Sequence, residues 1–242
     1  MNDAEGSLSS VAADLSGTDL APSLIAAAHE LKSPLVLLRQ LTFQLEDEKN
    51  KETVRRMRFT TDRALRLVDN ITKSACLGDA MFICEPIQLS GLCESAVDEM
   101  QPLGRELNTE IIWRSPRTPR VAIGNRELLH ALLIGLIDNA LHYANGKTIE
   151  VSARISGNEV ILSVCDSGAT VSLSEFRRLK NALGRAKMPI SSRPLSSGLG
   201  LLITQKFVMA MNGRLTITRR AHGGMIFSTH LPTIQQLSLL ES

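Results

Sequence analysis

The run AAAHELKSPLVLL, residues 26–38, sets a histidine, a glutamate, a serine and a proline within six positions of an apolar periodic stretch. His29 lies one step off the seam residue Ala28, which turns its imidazole partly toward solvent. Glu30 can orient that ring and take its proton, keeping one nitrogen neutral and nucleophilic near neutral pH. Ser33, four residues on, shares the helical face of His29 and can position a water beside anything attached to the ring. A lone histidine on a charged helix is more often surface decoration. Pro34 tips the balance, because its missing N–H frees the carbonyl of Glu30 and bends the helix one turn past the histidine. A broken rule inside a regular element is where function is expected.

A second set is spread over IDNALHYA, CDSGAT and SSGLGLLI. Asn139, on a strongly apolar helix, offers a hard oxygen of the kind Mg²⁺ accepts while keeping water and phosphate in its shell. Asp166 ends the strand VILSVCD; its carboxylate can accept from an exocyclic amine, and Gly168 lets the backbone approach a flat base. Gly198, Leu199 and Gly200 form a turn running into a helix, whose free N–H groups suit phosphate oxygens. Between these two elements six basic residues, Arg177, Arg178, Lys180, Arg185, Lys187 and Arg193, stand against the single acid Glu175. That polarity suits a triphosphate. Taken singly, Asp-Ser-Gly is a common turn and Gly-Leu-Gly a common helix start.

Two kinds of element must hold these sets. Leu24, Ala28, Leu31, Leu35, Leu38 and Leu45 recur at steps of four and three, interrupted by Thr42, and a second series runs from Val54 to Ala75 after the polar turn EDEKNKE. This is a helical hairpin whose seam stays half open, so pairing of two copies into a four-helix bundle is expected, a homodimer through residues 24–76. Beyond Gly78 and Asp79 the pattern changes to strands alternating with helices. MFICEPIQL, TEIIW, TIEVSARI, EVILSVCD, GRLTITRR and GGMIFSTHLP read as strands, with helices at 90–107, from Asn125 onward, and 199–211. Residues 167–197 read as a polar stretch without regular structure. The expected fold class is α+β: a helical hairpin, then an α/β sandwich with helices over one face of a mixed sheet. The corresponding segments are a lead-in over 1–20, a hairpin over 21–77, a second domain over 81–232 and a tail over 233–242.

Bulk composition narrows the classes. With 27 basic against 25 acidic residues the chain lacks the basic bias of a nucleic-acid binder. No apolar run reaches the ~18 residues of a membrane span, and no signal-peptide core opens the chain. The four cysteines, Cys76, Cys84, Cys93 and Cys165, have no paired spacing, which fits reduced thiols in a cytoplasm.

Together these residues resemble the sensor histidine kinases of two-component signalling, over about residues 20–232. HELKSPL is similar to the phospho-acceptor box of that family, IDNALHY to its Asn box, DSG to its first glycine box and SSGLGL to its second. The resemblance implies a dimerising phospho-acceptor domain followed by a gyrase/heat-shock/MutL-type, Bergerat-fold ATP-binding domain. It implies His29 as the phosphorylated residue, Glu30 as its acid/base partner and Ser33 as an aid to dephosphorylation of a partner. Asn139 would ligate Mg²⁺, Asp166 would read adenine, Gly168, Gly198, Leu199 and Gly200 would frame the nucleotide loops, and His142 and Tyr143 would lie near the nucleotide. Three positions depart from the family pattern: Gly135 replaces a further asparagine, Ala169 a second glycine, and Ser196 the first glycine of the second box.

The implied activity is ATP-dependent autophosphorylation on histidine, with transfer to the aspartate of a response-regulator receiver domain. A dimeric phosphotransfer or phosphatase scaffold with a degenerate ATP site is the alternative that the three departures permit. A kinase of the same ATPase superfamily acting on a partner serine is a third. With no span or sensory segment read ahead of the histidine, the stimulus is expected from a separate sensory partner, a fused assembly or a missing segment.

Overall fold

The computed structural model describes residues 20–44, 50–78, 82–185 and 199–233. Lys187, Arg193, Ser196 and Gly198 lie outside the described residues, as do most of the lead-in and tail. The chain divides into two compact units, Met1–Asp79 and Ala80–Ser242.

The first unit is a pair of helices, α1 (Leu20–Gln44) and α2 (Lys51–Ala75), ending in a 3₁₀ turn at Cys76–Gly78. Helix α1 starts four residues ahead of the periodic stretch, with Pro22 in its first turn, where a missing N–H costs no intrahelical bond. It continues through Pro34. The helices pack through Ala28 and Thr42 on one side and Val54, Thr61, Leu65 and Val68 on the other, all buried. Thr42, the apparent gap in the seam, is therefore a seam residue; its hydroxyl is satisfied by the Arg39 carbonyl at 2.6 Å. Lys32 Nζ pairs with Asp69 across the hairpin at 2.5 Å. Other residues of the expected seams are turned outward: Leu31, Leu38 and Met57 are exposed.

The second unit is a mixed sheet covered on one face by helices. Strands β2 (Ile111–Arg114), β4 (Ile149–Ser156), β5 (Glu159–Cys165), β6 (Arg214–Arg219) and β7 (Met225–Pro232) lie in the order β2-β4-β5-β7-β6. Only β2 against β4 is parallel. Strands β1 (Glu85–Gln88) and β3 (Val121–Gly124) form a separate antiparallel pair. The β4–β5 hairpin turns at Gly157, φ +59°, as the ISGN sequence anticipates. Alternation along β4 buries Ile149, Val151 and Ala153 toward the helices and leaves Glu150, Ser152 and Arg154 on the wetter face.

Helices α3 (Leu89–Glu106), α4 (Arg126–Ala144) and α6 (Leu199–Ala210) build the core. Helix α4 is buried on nearly every side, which its apolar composition foretells. Asn125 caps it, accepting from the N–H groups of Glu127 (3.0 Å) and Leu128 (3.1 Å), and Asn145 ends it in the left-handed region. The polar stretch read as irregular holds a further helix, α5 (Leu173–Arg185). A capping box starts it: Ser172 Oγ accepts from Glu175 N at 3.2 Å while Ser172 N donates to Glu175 Oε2 at 3.1 Å. Leu179 and Leu183 then bury one face, leaving Arg177, Arg178 and Lys180 exposed.

Candidate functional site

The site in the second unit grows from the C-terminal end of β5. Where that strand stops, Asp166 turns inward and is 5% exposed. A buried carboxylate needs donors, and two backbone groups supply them: Gly168 N donates to Oδ1 at 2.9 Å and Met225 N to Oδ2 at 3.1 Å. Asp166 N in turn donates to the Met225 carbonyl at 3.0 Å, locking the strand end to the start of β7.

Gly168 has no alternative. A Cβ there would lie 2.0 Å from the Tyr143 carbonyl oxygen, at the end of α4, and 3.0 Å from Asp166 Oδ1. The β6–β7 turn closes on the same spot. Gly224, φ +80°, passes so near the Asp166 carbonyl that a Cβ would sit 2.1 Å from its oxygen, and at Gly223, φ +98°, a Cβ would fall 2.7 Å from the Gly168 oxygen. Three glycines thus let three backbone segments meet around one carboxylate.

A pocket opens beside it, lined by Asn139, Tyr143, Asp166, Val171, Leu179 and Phe227, with Ala169 and Met225 completing the wall. One acid set among apolar walls has the chemistry that a flat ring carrying an N–H donor would use, with the walls for the ring and Asp166 for the donor. Asn139 and Tyr143, one turn apart on α4, share this pocket with Asp166. His142, on the next position round the helix, is exposed and outside the pocket, with its ring edge-on to Tyr143 at 4.8 Å.

Among the described residues no cluster of three or more His, Cys, Asp and Glu could hold a metal. Asn139 at the pocket wall offers an amide oxygen of the kind that a hard cation carried in on phosphates accepts. At Gly135, one turn earlier on α4, the nearest atom to an added Cβ is Thr204 Oγ1 at 3.6 Å, so the backbone admits a side chain there although the sequence supplies none. Leu199 and Gly200 open α6, and Gly200 is exposed with no neighbour within 4 Å of an added Cβ. In the other unit His29 and Glu30 lie within α1, one turn before the exposed Ser33.

Sequence reasoning did not find Val171, Leu179, Met225 or Phe227 as site residues, nor the Gly223–Gly224 pair. The strand alternation in MIFSTHLP marks Met225 and Phe227 as inward but says nothing of a void beside them. The doubled glycine ahead of that strand is the one signal that could have pointed here.

Residues 124–235 match the family described as Histidine kinase-, DNA gyrase B-, and HSP90-like ATPase. The chain is 25% identical over 213 residues to Sensor protein CutS of Streptomyces coelicolor, covering 85% of this chain and 51% of that protein. It is 26% identical over 216 residues to the signal transduction histidine-protein kinase BaeS of Escherichia coli, covering 87% of this chain and 46% of the relative. The chain therefore spans about half the length of the curated relatives it matches. In fold it is similar to full-length ShkA, solved in complex with AMPPNP, with a TM-score of 0.62 and 24% identity over 88% of this chain and 46% of that one. It is also similar to the Acinetobacter baumannii histidine kinase AdeS, with a TM-score of 0.56 and 17% identity over 85% of this chain and 98% of that one.

Proposed function

We propose, from a chain that carries a sensor histidine kinase catalytic core with its histidine kinase-, gyrase B- and HSP90-like ATPase domain over residues 124–235, that this protein is an ATP-dependent protein histidine kinase. The observation that supports it most is the convergence of Asn139, Tyr143 and Asp166 on one pocket with apolar walls, next to a glycine that no other residue can replace. Asp166 accepts from the adenine amine, Val171, Leu179 and Phe227 sandwich the ring, and Asn139 would hold Mg²⁺, which would supply charge neutralisation for the transferring phosphoryl group.

An imidazole nitrogen of His29 attacks the γ-phosphorus, the bond to the β–γ bridging oxygen breaks, and ADP leaves. Glu30 takes the ring proton. The phosphoryl group then passes to the aspartate of a response-regulator receiver domain, and Ser33 orients the water that later removes it from that partner. Catalysis in such a transfer is largely positioning and charge neutralisation.

The kinase works in the cytoplasm as a homodimer through residues 24–76. Incubation with γ-labelled ATP and Mg²⁺ tests the reading. Acid-labile label on the wild-type chain, lost in His29→Ala, is the expected result. Absence of label would favour the phosphotransfer scaffold, and acid-stable label on a partner serine would refute histidine chemistry.

A further inference from the structure

Arg220 stands at the end of β6, in the turn that leads to the glycine pair, and does not line the pocket. Its Nη1 donates to the Asp166 carbonyl at 3.1 Å and to Ser167 Oγ at 2.8 Å. Its own N–H donates to the Gly224 carbonyl at 3.2 Å, and Gly224 N donates to the Ala169 carbonyl at 3.3 Å. The guanidinium also reaches the Cys165 thiol, where it counteracts the upward push of burial on that group. One side chain therefore touches three consecutive residues, 165 to 167, around the end of β5.

These contacts divide the support of Asp166 into two parts. The carboxylate is held by the backbone N–H groups of Gly168 and Met225, while the main chain that carries it is held by Arg220. Removing the guanidinium leaves the first part in place, so the turn stays closed. The Asp166 carbonyl and the Ser167 hydroxyl lose their charged donor, and the carboxylate gains angular freedom relative to the pocket walls. A hydrogen bond that discriminates between bases depends on that angle more than the apolar sandwich does.

We infer that Arg220 is a positioning residue for the base-reading carboxylate, one that sets selectivity for a purine with an exocyclic amine. The inference rests on the reading of Asp166 as the adenine acceptor. A planar guanidinium spans the carbonyl and the hydroxyl from a single nitrogen with its fork fixed, whereas a lysine ammonium would reach the same place as a point charge with free rotation.

The test compares binding of ATP and of purine riboside triphosphate, which lacks the amine, to the full chain and to R220M, R220K, R220Q and D166N. The wild type is expected to prefer ATP, and D166N to lose that preference. R220M is expected to lose about tenfold of it, and R220K and R220Q to keep only part of it, with the rise in KM for ATP exceeding the fall in kcat. R220Q keeps a neutral donor and carries the test if R220M does not fold. An ATP preference retained in R220M, or in R220Q where R220M is unfolded, overturns the inference, as does an equal loss of both nucleotides with a lowered melting temperature. A wild type that binds neither nucleotide, or both equally, overturns the adenine-site reading itself and the inference with it.

Discussion

Replacing Gly168 by alanine isolates the geometry on which the pocket rests. The added Cβ would sit 2.0 Å from the Tyr143 carbonyl oxygen and 2.8 Å from its carbon, and separations under 3.0 Å are essentially never seen, so something must move by about 1 Å. The carbonyl cannot retreat, because it ends a helix whose Ala140, Leu141 and Ala144 are buried in the core. The turn at 166–169 must therefore yield, carrying Asp166 with it. Overpacking of this kind costs about 1–3 kcal/mol. For a domain of this size that lowers the melting temperature by roughly 2–4 °C per kcal/mol. The chemical consequence is larger, since a displacement of about 1 Å in a positioning group costs on the order of 100-fold in rate. Thermal unfolding by circular dichroism and initial rates of label incorporation across ATP concentrations read the two effects together. Gly200→Ala is the control: with nothing within 4 Å of the new carbon and a helical position that favours alanine by up to ~1 kcal/mol, its melting temperature should hold or rise. A Gly168→Ala protein that melts within about 1 °C of wild type and keeps its KM for ATP would refute the steric reasoning.

Four further outcomes follow from the same structure. Leu38→Asp, at a residue 48% exposed in one copy, should leave the hairpin folded and raise the dissociation constant of the proposed dimer by at least about 100-fold, since two leucines would lose roughly 1.5–3 kcal/mol of burial each; sedimentation velocity measures it. Cys84 is exposed and should react first with a thiol reagent, whereas Cys93, fully buried and with its pKa pushed by burial from 9.0 up to about 12, should react only after unfolding. Because the unfolded thiol loses its proton at lower pH than the folded one, stability should fall as pH rises from 9.0 toward 12, and denaturant titrations of Cys93→Ala should show that part of the slope removed. Gly135→Asn should fold normally and tighten the Mg²⁺ dependence of ATP binding, measured by titrating the metal at fixed nucleotide.

Much of this was legible because local chemistry and position coincided. Asn125 reads as a helix cap and is one; Gly157 reads as a hairpin turn and is one. Asp166-Ser167-Gly168 could be found because a strand end, a carboxylate and a glycine are adjacent in sequence. The pocket walls were not legible because they arise from residues about 60 positions apart, and periodicity separates inward from outward without saying which inward residue borders a void. Helix α5 was missed because its charge suggests a solvated stretch, although Ser172 and Glu175 carry its cap and Leu179 and Leu183 its buried face. In the first helix of the first unit, periodicity predicts one apolar stripe interrupted by Thr42, whereas Ala28 and Thr42 are buried and Leu31 and Leu38 face outward; small residues permit the close helix approach, and period alone does not show which positions make it.

Helix α4 supplies both the most buried surface of the domain and two walls of its pocket, Asn139 and Tyr143. A ligand seated there rests against the buried core itself rather than against a peripheral loop. Disturbing that wall means disturbing the core, so a ligand that binds only the folded domain stabilises all of it. Nucleotide should then act as a folding ligand, raising the whole domain's unfolding free energy by RT ln(1 + [L]/Kd), about 2.7 kcal/mol at a hundredfold excess over Kd. Under the proposed function, the ATP level would in that way also set how long this domain survives proteolysis.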